Sequence, residues 1–241
     1  MNNIHDIKHT FYINLDTRPD RKQHIEKQLS IIKLKAERFK AIKLTNGALG
    51  CSMSHLKILE MAKQNNYDHV LILEDDIQFL EPDIFIKQMN LFLEKHKVFD
   101  VLLIAGNNMP PFNKIDETCV KVTACQTTTG YLVKNHYFDT LICNIREGIS
   151  KLMKEPNQHK LYALDKYWFH LQRIHCWYLI IPLTVTQRED YSDIEKRATN
   201  YSRAMLDLDK QAFIKAQTDA INKRQNLNSI YNFTKISVNN N

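Results

Sequence analysis

The stretch His69-Val-Leu-Ile-Leu-Glu-Asp-Asp76 joins an apolar run of strand-forming residues directly to three carboxylates. A short, uninterrupted apolar run of this kind predicts a buried strand. Three carboxylates are costly to hold together at its end, because like charges raise one another's pKa unless a cation lies between them. We therefore expect a buried strand at residues 69–73 with an acidic site at its carboxyl end.

Strand and helix patterns alternate on both sides of this stretch. Apolar and β-branched runs predict strands, and apolar residues recurring every three or four positions predict helices. The predicted strands cover residues 11–15, 36–42, 69–73, 99–105, 120–125, 130–133 and 177–181. The predicted helices cover a segment capped by Thr17, then 51–65 after a loop at 47–50, 84–96, a segment ending near 153, 163–171 and 199–225. The alternation predicts an α/β fold, with a mostly parallel mixed sheet flanked by helices.

Length and composition predict one domain over residues 1–225 and an Asn-rich tail at 226–241. The 241 residues include only 5 Gly and 6 Pro, which excludes a mainly disordered or linker-rich chain. Lys and Arg exceed Asp and Glu by 33 to 27. This small, dispersed surplus suits a site for a phosphorylated small molecule or an ordinary solvated surface, and it does not indicate a nucleic-acid partner.

The five cysteines predict reduced thiols rather than disulfides. Their number is odd, no Cys-x-x-Cys pair occurs, and no His lies at zinc-finger spacing. The first residues lack the basic and apolar regions of a signal peptide, and no apolar run approaches the ~18 residues of a membrane span. We therefore expect a cytoplasmic protein without a transmembrane segment.

The carboxylates Glu74, Asp75 and Asp76 are the first candidate site. In an extended chain residues i and i+2 share a face, so Glu74 and Asp76 are expected to converge while Asp75 points away. Oxygen ligands at this spacing suit Mn²⁺ or Mg²⁺, which substrate phosphates and water complete. The alternatives are a solvated acidic turn and an N-terminal cap for the next helix.

A basic helix start follows the first predicted strand. Arg18 and Arg21 lie three positions apart there, after Asn14, where backbone N–H groups and the helix dipole favour an anion. The alternative is surface charge, with Arg21 paired to Asp20 or Glu26. Ligands of such sheets bind beyond the carboxyl ends of the strands. The basic helix start and the acidic strand end together therefore predict a site for a metal–diphosphate ligand.

Three blocks of the sequence resemble glycosyltransferase family 25, which includes bacterial lipopolysaccharide and collagen-type galactosyltransferases. The blocks are Tyr12-Ile-Asn-Leu-Asp-Thr-Arg-Pro-Asp-Arg21, Gly50-Cys-Ser-Met-Ser-His55 and Leu71-Ile-Leu-Glu-Asp-Asp76. A weaker match continues through Gly130-Tyr131-Leu132, Leu164-Asp165 and Gln187 to Ser192-Asp-Ile194. Ala48 departs from the family, which usually has Glu at that position.

The resemblance implies a GT-A fold and a UDP-sugar donor. It implies transfer of a hexose, galactose or glucose, to a hydroxyl of a glycan, glycolipid or protein acceptor, with inversion of the anomeric carbon. It also implies a Mn²⁺ or Mg²⁺ ion held by the acidic motif, with Asp76 as a direct ligand and Glu74 acting at the metal through water or the ribose. The residues implied in donor binding are Asn14, Leu15, Arg18, Arg21, His55, Glu74, Asp75, Gly130 and Tyr131.

Asp165 is the expected catalytic base, because an inverting transfer needs a carboxylate to take the proton of the acceptor hydroxyl. Its alternative role is the N-cap of the helix that follows, and Asp190 and Asp193 are the next candidates for the base. His55 and Tyr131 also have structural alternatives, a hydrogen-bonded buried histidine and an aromatic residue of the core.

Two other functions are weighed against the transferase. A non-catalytic sugar-nucleotide-binding relative would keep the fold but should have lost a carboxylate of the motif, whereas both Glu74 and Asp76 are present. A metal-dependent nuclease or phosphatase would need a nucleophile or a lysine near the carboxylates, and Lys87 lies a helix away. The sequence therefore favours the transferase.

Overall fold

The computed structural model describes residues 1–192, 196–211, 214, 215 and 218. The chain divides into two compact units, Met1–Leu208 and Asp209–Asn241. The boundary expected between residues 225 and 226, and the tail that would follow it, lie outside the described residues. Every candidate site residue belongs to the first unit.

Strands and helices alternate through the first half of this unit, as predicted. The strands are β1 (Thr10–Asn14), β2 (Glu37–Lys40), β3 (His69–Glu74), β4 (Ile77–Phe79), β5 (Val101–Asn108), β6 (Asn113–Lys114), β7 (Cys119–Lys121), β8 (Cys125–Lys134), β9 (Trp177–Ile180), β10 (Val185–Gln187), β11 (Asp190–Ser192) and β12 (Arg197–Thr199). The helices are α1 (Pro19–Ile31), α2 (Gly47–Gln64), α3 (Pro82–Lys95), α4 (Phe138–Lys154), α5 (His159–Tyr162), α6 (Leu164–Tyr167), α7 (Phe169–Ile174) and α8 (Ser202–Met205). Short 3₁₀ helices cover Ile4–Asp6 and Asn135–Tyr137.

The central sheet has eight strands in the order β2-β1-β3-β8-β5-β9-β7-β6. β1 is parallel to β2 and β3, and β5 is parallel to β9. β8 is antiparallel to both of its neighbours, β3 and β5. Two small ribbons pair β10 with β4 and β11 with β12. The expected α/β fold with a mixed sheet flanked by helices is confirmed, but the sheet is not mostly parallel, because four of its seven neighbouring strand pairs in the described residues are antiparallel.

Two apolar cores cover the two faces of the sheet. From β3, Val70 and Ile72 enter the core that includes residues of α2 and α4, whereas Leu71 and Leu73 enter the core that includes residues of α1 and α3. Successive side chains of a strand point to opposite faces, so a strand covered on both faces needs apolar residues at every position. This is the physical reason for the unbroken apolar run that identifies β3.

Several predicted boundaries are wrong. Thr17 does not cap α1, because Arg18 occupies the N-cap position without a side-chain hydrogen bond and Pro19 begins the helix. Residues 47–50 form the first turn of α2 rather than a loop, because the side chain of Asn46 accepts a hydrogen bond from the backbone N–H of Leu49. The strand predicted at 99–105 begins and ends later, since β5 covers Val101–Asn108.

The C-terminal predictions are corrected in part. The helix predicted at 163–171 is two short helices, α6 and α7. Within the segment 199–225 the structure shows α8 over Ser202–Met205, and much of the remainder lies outside the described residues. As expected, no disulfide joins the five cysteines, all of which are described. In the part of the chain that the structure describes, none of the helices has the length and apolar character needed to cross a membrane.

Candidate active site

Three strand ends meet at one edge of the sheet. Because β1 is parallel to β3, with Ile13 beside Glu74, both strands end at this edge. β8 runs in the opposite direction, with Gly130 beside Leu73, so its first residues lie there. Parts of α2, α6 and β10 complete the site. The side chains brought together are Asn14, Arg21, Cys51, His55, Glu74, Asp75, Asp76, Thr128, Asp165 and Gln187.

Glu74 is held from several sides. Its Oε1 accepts a hydrogen bond from Thr128 Oγ1 at 2.5 Å, and its Oε2 accepts one from Gln187 Nε2 at 3.1 Å. His55 Nε2 lies 3.6 Å and Cys51 Sγ 3.8 Å from Oε1. Burial acts to raise the pKa of Glu74, but the contacts with His55 and Thr128 outweigh it and hold this pKa below its usual range. Glu74 is therefore ionised at neutral pH.

Asp75 lies between the end of β1 and the start of α1. Its Oδ2 accepts a hydrogen bond from Asn14 Nδ2 at 2.7 Å, and its Oδ1 accepts one from Arg21 Nη1 at 3.0 Å. Asp75 is buried, and burial raises its pKa despite the opposing charge of Arg21. The sequence predicted that Asp75 points away from Glu74 and Asp76. In the structure it shares Arg21 with Asp76.

Asp76 is the least compensated of the three carboxylates. Its Oδ2 accepts a hydrogen bond from Arg21 Nη1 at 3.2 Å, whereas its buried Oδ1 has no hydrogen-bond partner among the described residues. Burial and the charge of Glu74 raise the pKa of Asp76 to about 8, although Arg21 opposes the shift. An unpartnered, buried carboxylate oxygen beside a second carboxylate fits a ligand of a divalent cation.

Arg18 and Arg21 are both paired to carboxylates. Asp190 Oδ2 accepts from Arg18 Nη2 at 2.6 Å, from Arg21 Nε at 3.1 Å and from Arg188 Nη2 at 2.8 Å. Arg18 also pairs with Asp20 at 3.0 Å. The surface-charge alternative had assigned Asp20 to Arg21. Diphosphate binding by the two arginines stays a prediction. In this structure both pair with Asp190 of β11, and Arg21 also pairs with Asp75 and Asp76 of the acidic motif.

Asp190, the second choice for the base, accepts hydrogen bonds from all three arginines of this cluster. Burial acts to raise its pKa, but the backbone N–H of Tyr191 and the guanidinium groups of Arg188 and Arg21 hold this pKa well below its usual range. A carboxylate of such low basicity is a poor proton acceptor. Asp193, the other second choice, lies outside the described residues.

Tyr131 and Gly130, two of the residues implied in donor binding, are core positions next to the site. Tyr131 is fully buried, and its hydroxyl lies 2.8 Å from Nδ1 of His55, which is also fully buried. A Cβ on Gly130 would lie 2.7 Å from the Ile104 side chain, so this position accepts only Gly in the present packing. Leu15 is partly buried. For Tyr131 the structure shows the core alternative, and stacking on a sugar is not supported by this placement.

Asp165 lies on α6 and supports the start of β8. Its Oδ2 accepts a hydrogen bond from the backbone N–H of Thr127 at 3.0 Å. The N-cap of α6 is Ala163, so the alternative role of Asp165 as N-cap is wrong. Burial raises the pKa of Asp165, with Lys166 opposing and Glu74 adding to the shift. Thr127 has φ 76°, a left-handed conformation that a β-branched residue rarely adopts.

Sequence reasoning missed Thr128 and Cys51 as members of the site. The run Gln126-Thr-Thr-Thr129 precedes Gly130 at the start of a strand and was the available signal for Thr128. Cys51 lies four positions before His55 in a predicted helix, which places both side chains on one face. Ala48, where the family usually has Glu, is buried in the first turn of α2.

Comparison with known proteins assigns this arrangement to the glycosyltransferases. A family model described as "Glycosyltransferase family 25 (LPS biosynthesis protein)" matches residues 42–168, just over half of the chain. The matched segment contains α2, the acidic motif and Asp165. The chain belongs to glycosyltransferase family 25, as its sequence motifs indicated.

The similar proteins named in this comparison are distant. A "Glycosyltransferase 25 family member" of Anopheles gambiae is 26% identical over 195 residues, which cover 67% of this chain and 31% of the relative. The corresponding protein of Aedes aegypti is 24% identical and covers 67% and 30%. The chain therefore spans less than a third of the length of these relatives. A solved glycosyltransferase involved in the glycosylation of the major capsid of PBCV-1 is 12% identical, covers 71% of this chain and 81% of its own, and gives a TM-score of 0.42.

Proposed function

We propose that this protein transfers a hexose from a UDP-sugar to a hydroxyl of a glycan, glycolipid or protein, with a divalent cation and with inversion of the anomeric carbon. The observation that carries the proposal is the buried, unpartnered Oδ1 of Asp76 beside ionised Glu74, at the carboxyl end of β3 and inside the segment matched by the family model. The single arginine shared by Asp75 and Asp76 leaves the ionised form of Asp76 under-compensated, which favours a divalent cation.

Asp76 would hold Mn²⁺ or Mg²⁺ directly, and Glu74 would act beside it through water or the ribose. The ion supplies positive charge to the departing diphosphate when it is bound. The segment from Asn14 to Arg21 lies next to these carboxylates through the contacts of Asn14 and Arg21 with Asp75. We assign the uridine and the diphosphate to this segment.

Asp165 is proposed as the base. Its carboxylate takes the proton from the acceptor hydroxyl while the oxygen bonds to the anomeric carbon and UDP leaves with the electrons of the broken bond. Burial raises the pKa of Asp165, which improves a carboxylate as a proton acceptor at neutral pH. The charge of Glu74 acts in the same direction, so the two carboxylates are within electrostatic reach of each other.

The test is UDP binding and UDP release with Mn²⁺ and with chelator. Specific binding at a hundredfold excess over Kd stabilises the protein by about 2.7 kcal/mol, which a thermal-shift measurement resolves. We expect this shift with UDP and Mn²⁺ and its loss with chelator. Asp76→Asn should abolish the metal-dependent shift and lower turnover by about 10²-fold or more. Asp83→Asn, which changes an exposed carboxylate on α3, is the matched control.

The outcomes separate the alternatives. Metal-dependent UDP binding without release of UDP from any UDP-hexose would favour the non-catalytic relative. Equal UDP binding with Mn²⁺ and with chelator would contradict the metal assignment, as would an Asp76→Asn variant that turns over at the native rate. Donor screening by UDP release identifies the hexose, and acceptor screening follows with the best donor.

A further inference from the structure

We propose that Cys51, His55 and Glu74 form a second cation site, selective for a thiolate- and imidazole-binding ion such as Zn²⁺ and separate from the ion assigned to Asp76. Cys51 Sγ, His55 Nε2 and a Glu74 carboxylate oxygen all lie within 4.8 Å of one another. Sulfur and imidazole ligands favour Zn²⁺ over Mg²⁺ or Mn²⁺, which prefer oxygen. This site therefore differs from the acidic motif in the ion that it takes.

The secondary structure brings these three ligands together. Cys51 and His55 are four positions apart on α2, so both side chains project from one face of the helix. Two ligands at this helical spacing, completed by a carboxylate from elsewhere, form a recurrent zinc-binding arrangement. Glu74 supplies the carboxylate from the end of β3, against which α2 packs.

The nitrogen of His55 that faces Glu74 is the strongest sign of a ligand. His55 is fully buried, and its Nε2 has no hydrogen-bond partner within the described ranges of the chain. Its other nitrogen, Nδ1, lies 2.8 Å from the hydroxyl of Tyr131. If Nδ1 donates to that hydroxyl, Nε2 presents a lone pair toward the oxygen of Glu74, so that two acceptor atoms face each other. A cation between them resolves the conflict.

The separations of the two α2 ligands from Glu74 are close to those of tetrahedral coordination, and that of His55 is longer than a hydrogen bond. With Zn–N, Zn–O and Zn–S bonds of about 2.05, 2.1 and 2.3 Å, tetrahedral angles place nitrogen about 3.4 Å and sulfur about 3.6 Å from the oxygen. The corresponding separations in the protein are 3.6 Å from His55 Nε2 and 3.8 Å from Cys51 Sγ to Glu74 Oε1. A small contraction would close the site around an ion.

Two further residues support the ligands. Tyr131 contacts Nδ1 of His55, and the Thr128 hydroxyl donates to Oε1 of Glu74. Hydrogen bonds of this kind orient metal ligands and fix the histidine tautomer. Cys51 is half-buried, and its thiol releases a proton when it coordinates.

A second cluster has the same types of ligand, but its histidine nitrogen is hydrogen-bonded to the carboxylate. His96, Asp116 and Cys119 also lie within 4.8 Å of one another. There, however, Asp116 Oδ2 is 2.9 Å from His96 Nε2, an ordinary hydrogen-bond distance. Its Oδ1 accepts hydrogen bonds from the backbone N–H and the hydroxyl of Thr118. These contacts satisfy the cluster without an ion, and it serves as an internal comparison.

The test is a titration of the reduced, metal-stripped full-length protein with Co²⁺, followed by displacement with Zn²⁺. Thiolate coordination gives Co²⁺ a charge-transfer absorption that oxygen ligands do not give. We expect this absorption to saturate at one equivalent and to disappear when Zn²⁺ is added. Cys51→Ser should abolish it, and Tyr131→Phe, which removes the hydrogen bond to His55, should weaken the affinity about 10–100-fold.

Three control variants make the result specific. Cys143→Ser, at an exposed cysteine, and Cys119→Ser, in the second cluster, should both keep the absorption. Asp76→Ala should keep it as well, which separates this site from the proposed function. Melting curves without metal check that each variant is folded. No thiolate absorption in the native protein, its persistence in folded Cys51→Ser, or its loss in folded Cys119→Ser or Asp76→Ala would each overturn the proposal.

Discussion

Arg21 is the residue that holds the acidic motif together. Its side chain is 14% exposed and pairs with Asp75, Asp76 and Asp190. Removing one member of such a partly buried network leaves uncompensated carboxylates, so Arg21→Ala should lower the free energy of unfolding by about 3–5 kcal/mol. If Arg21 only bound phosphate, its loss would weaken UDP binding more than it would lower stability. The structure therefore reverses the expected order of the two effects.

Urea unfolding measures this effect, and a second arginine supplies the control. Arg146 is 61% exposed and pairs with Glu60 on the surface, so Arg146→Ala should change stability by less than about 1 kcal/mol. Equal effects of the two substitutions would show that the Arg21 network contributes no more than a surface pair.

Asp165 is predicted to act on the acceptor proton. In Asp165→Asn the side-chain oxygen can still accept from the backbone N–H of Thr127, so stability and UDP binding should stay close to native. Turnover should fall by about 10²–10⁴-fold, because the amide cannot take a proton. Steady-state kinetics and thermal melting check both parts of this prediction.

Thr127→Gly is a control at the residue that Asp165 contacts. Glycine adopts the left-handed φ of this position without strain and keeps the N–H that Asp165 binds. We expect near-native turnover in Thr127→Gly. Turnover of Asp165→Asn close to the native rate would contradict the assignment of Asp165 as the base.

At the scale of elements, the turn between β6 and β7 depends on the ionisation of Asp116. Burial acts to raise the pKa of Asp116, but the hydroxyl and backbone N–H of Thr118, together with His96, lower it to about 2. The unfolded value is about 3.9, so the stabilisation is present above pH ~4 and is lost as the pH falls through about 2. Asp116→Asn should remove about 1–2 kcal/mol of this acid dependence, after discounting for solvent access.

Denaturant unfolding at several pH values between about 2 and 5 checks the prediction. The native protein should lose stability more steeply on acidification than Asp116→Asn. Parallel curves for the two proteins would mean that the hydrogen bonds of Asp116 do not depend on its charge.

The sequence predicted the buried elements better than the short ones. β1, β3 and β9 were found because a strand between two covered faces has an uninterrupted apolar sequence. β4 and β10 were missed, because each has three residues and they pair with each other outside the central sheet. The start of α2 was missed because its first four residues, Gly47-Ala-Leu-Gly50, suggested a loop.

The candidate site was predictable where its residues lie at the ends of buried parallel strands. Asn14, Arg21 and the acidic motif follow parallel strands, and parallel strands end at one edge of the sheet. The pairing of Arg21 with Asp190 was not predictable, because β11 is a short ribbon strand without a periodic pattern. Local patterns identify which elements end at the site, but not which later segment folds back onto it.

For the molecule as a whole, the compact unit that carries the site ends at Leu208. The deletion of residues 226–241 is expected to leave turnover and melting temperature nearly unchanged, because this segment is polar and Asn-rich. Activity assays and melting of the shortened chain check this. A large loss of folded protein would show that the segment packs against the protein or joins an interface. The cytoplasmic location expected from the sequence stays a prediction.

The partners of Glu74 come from remote parts of the chain, and this has a kinetic consequence. Thr128 lies 54 positions and Gln187 lies 113 positions from Glu74 in sequence. Closing loops of this length costs entropy that is recovered only after the strands have paired. The hydrogen bonds of Thr128 and Gln187 to Glu74 are thus expected to form after the folding transition state. Substitutions of Thr128 or Gln187 should accelerate unfolding and leave the folding rate almost unchanged, so the site affects how long the native state lasts more than how quickly it forms.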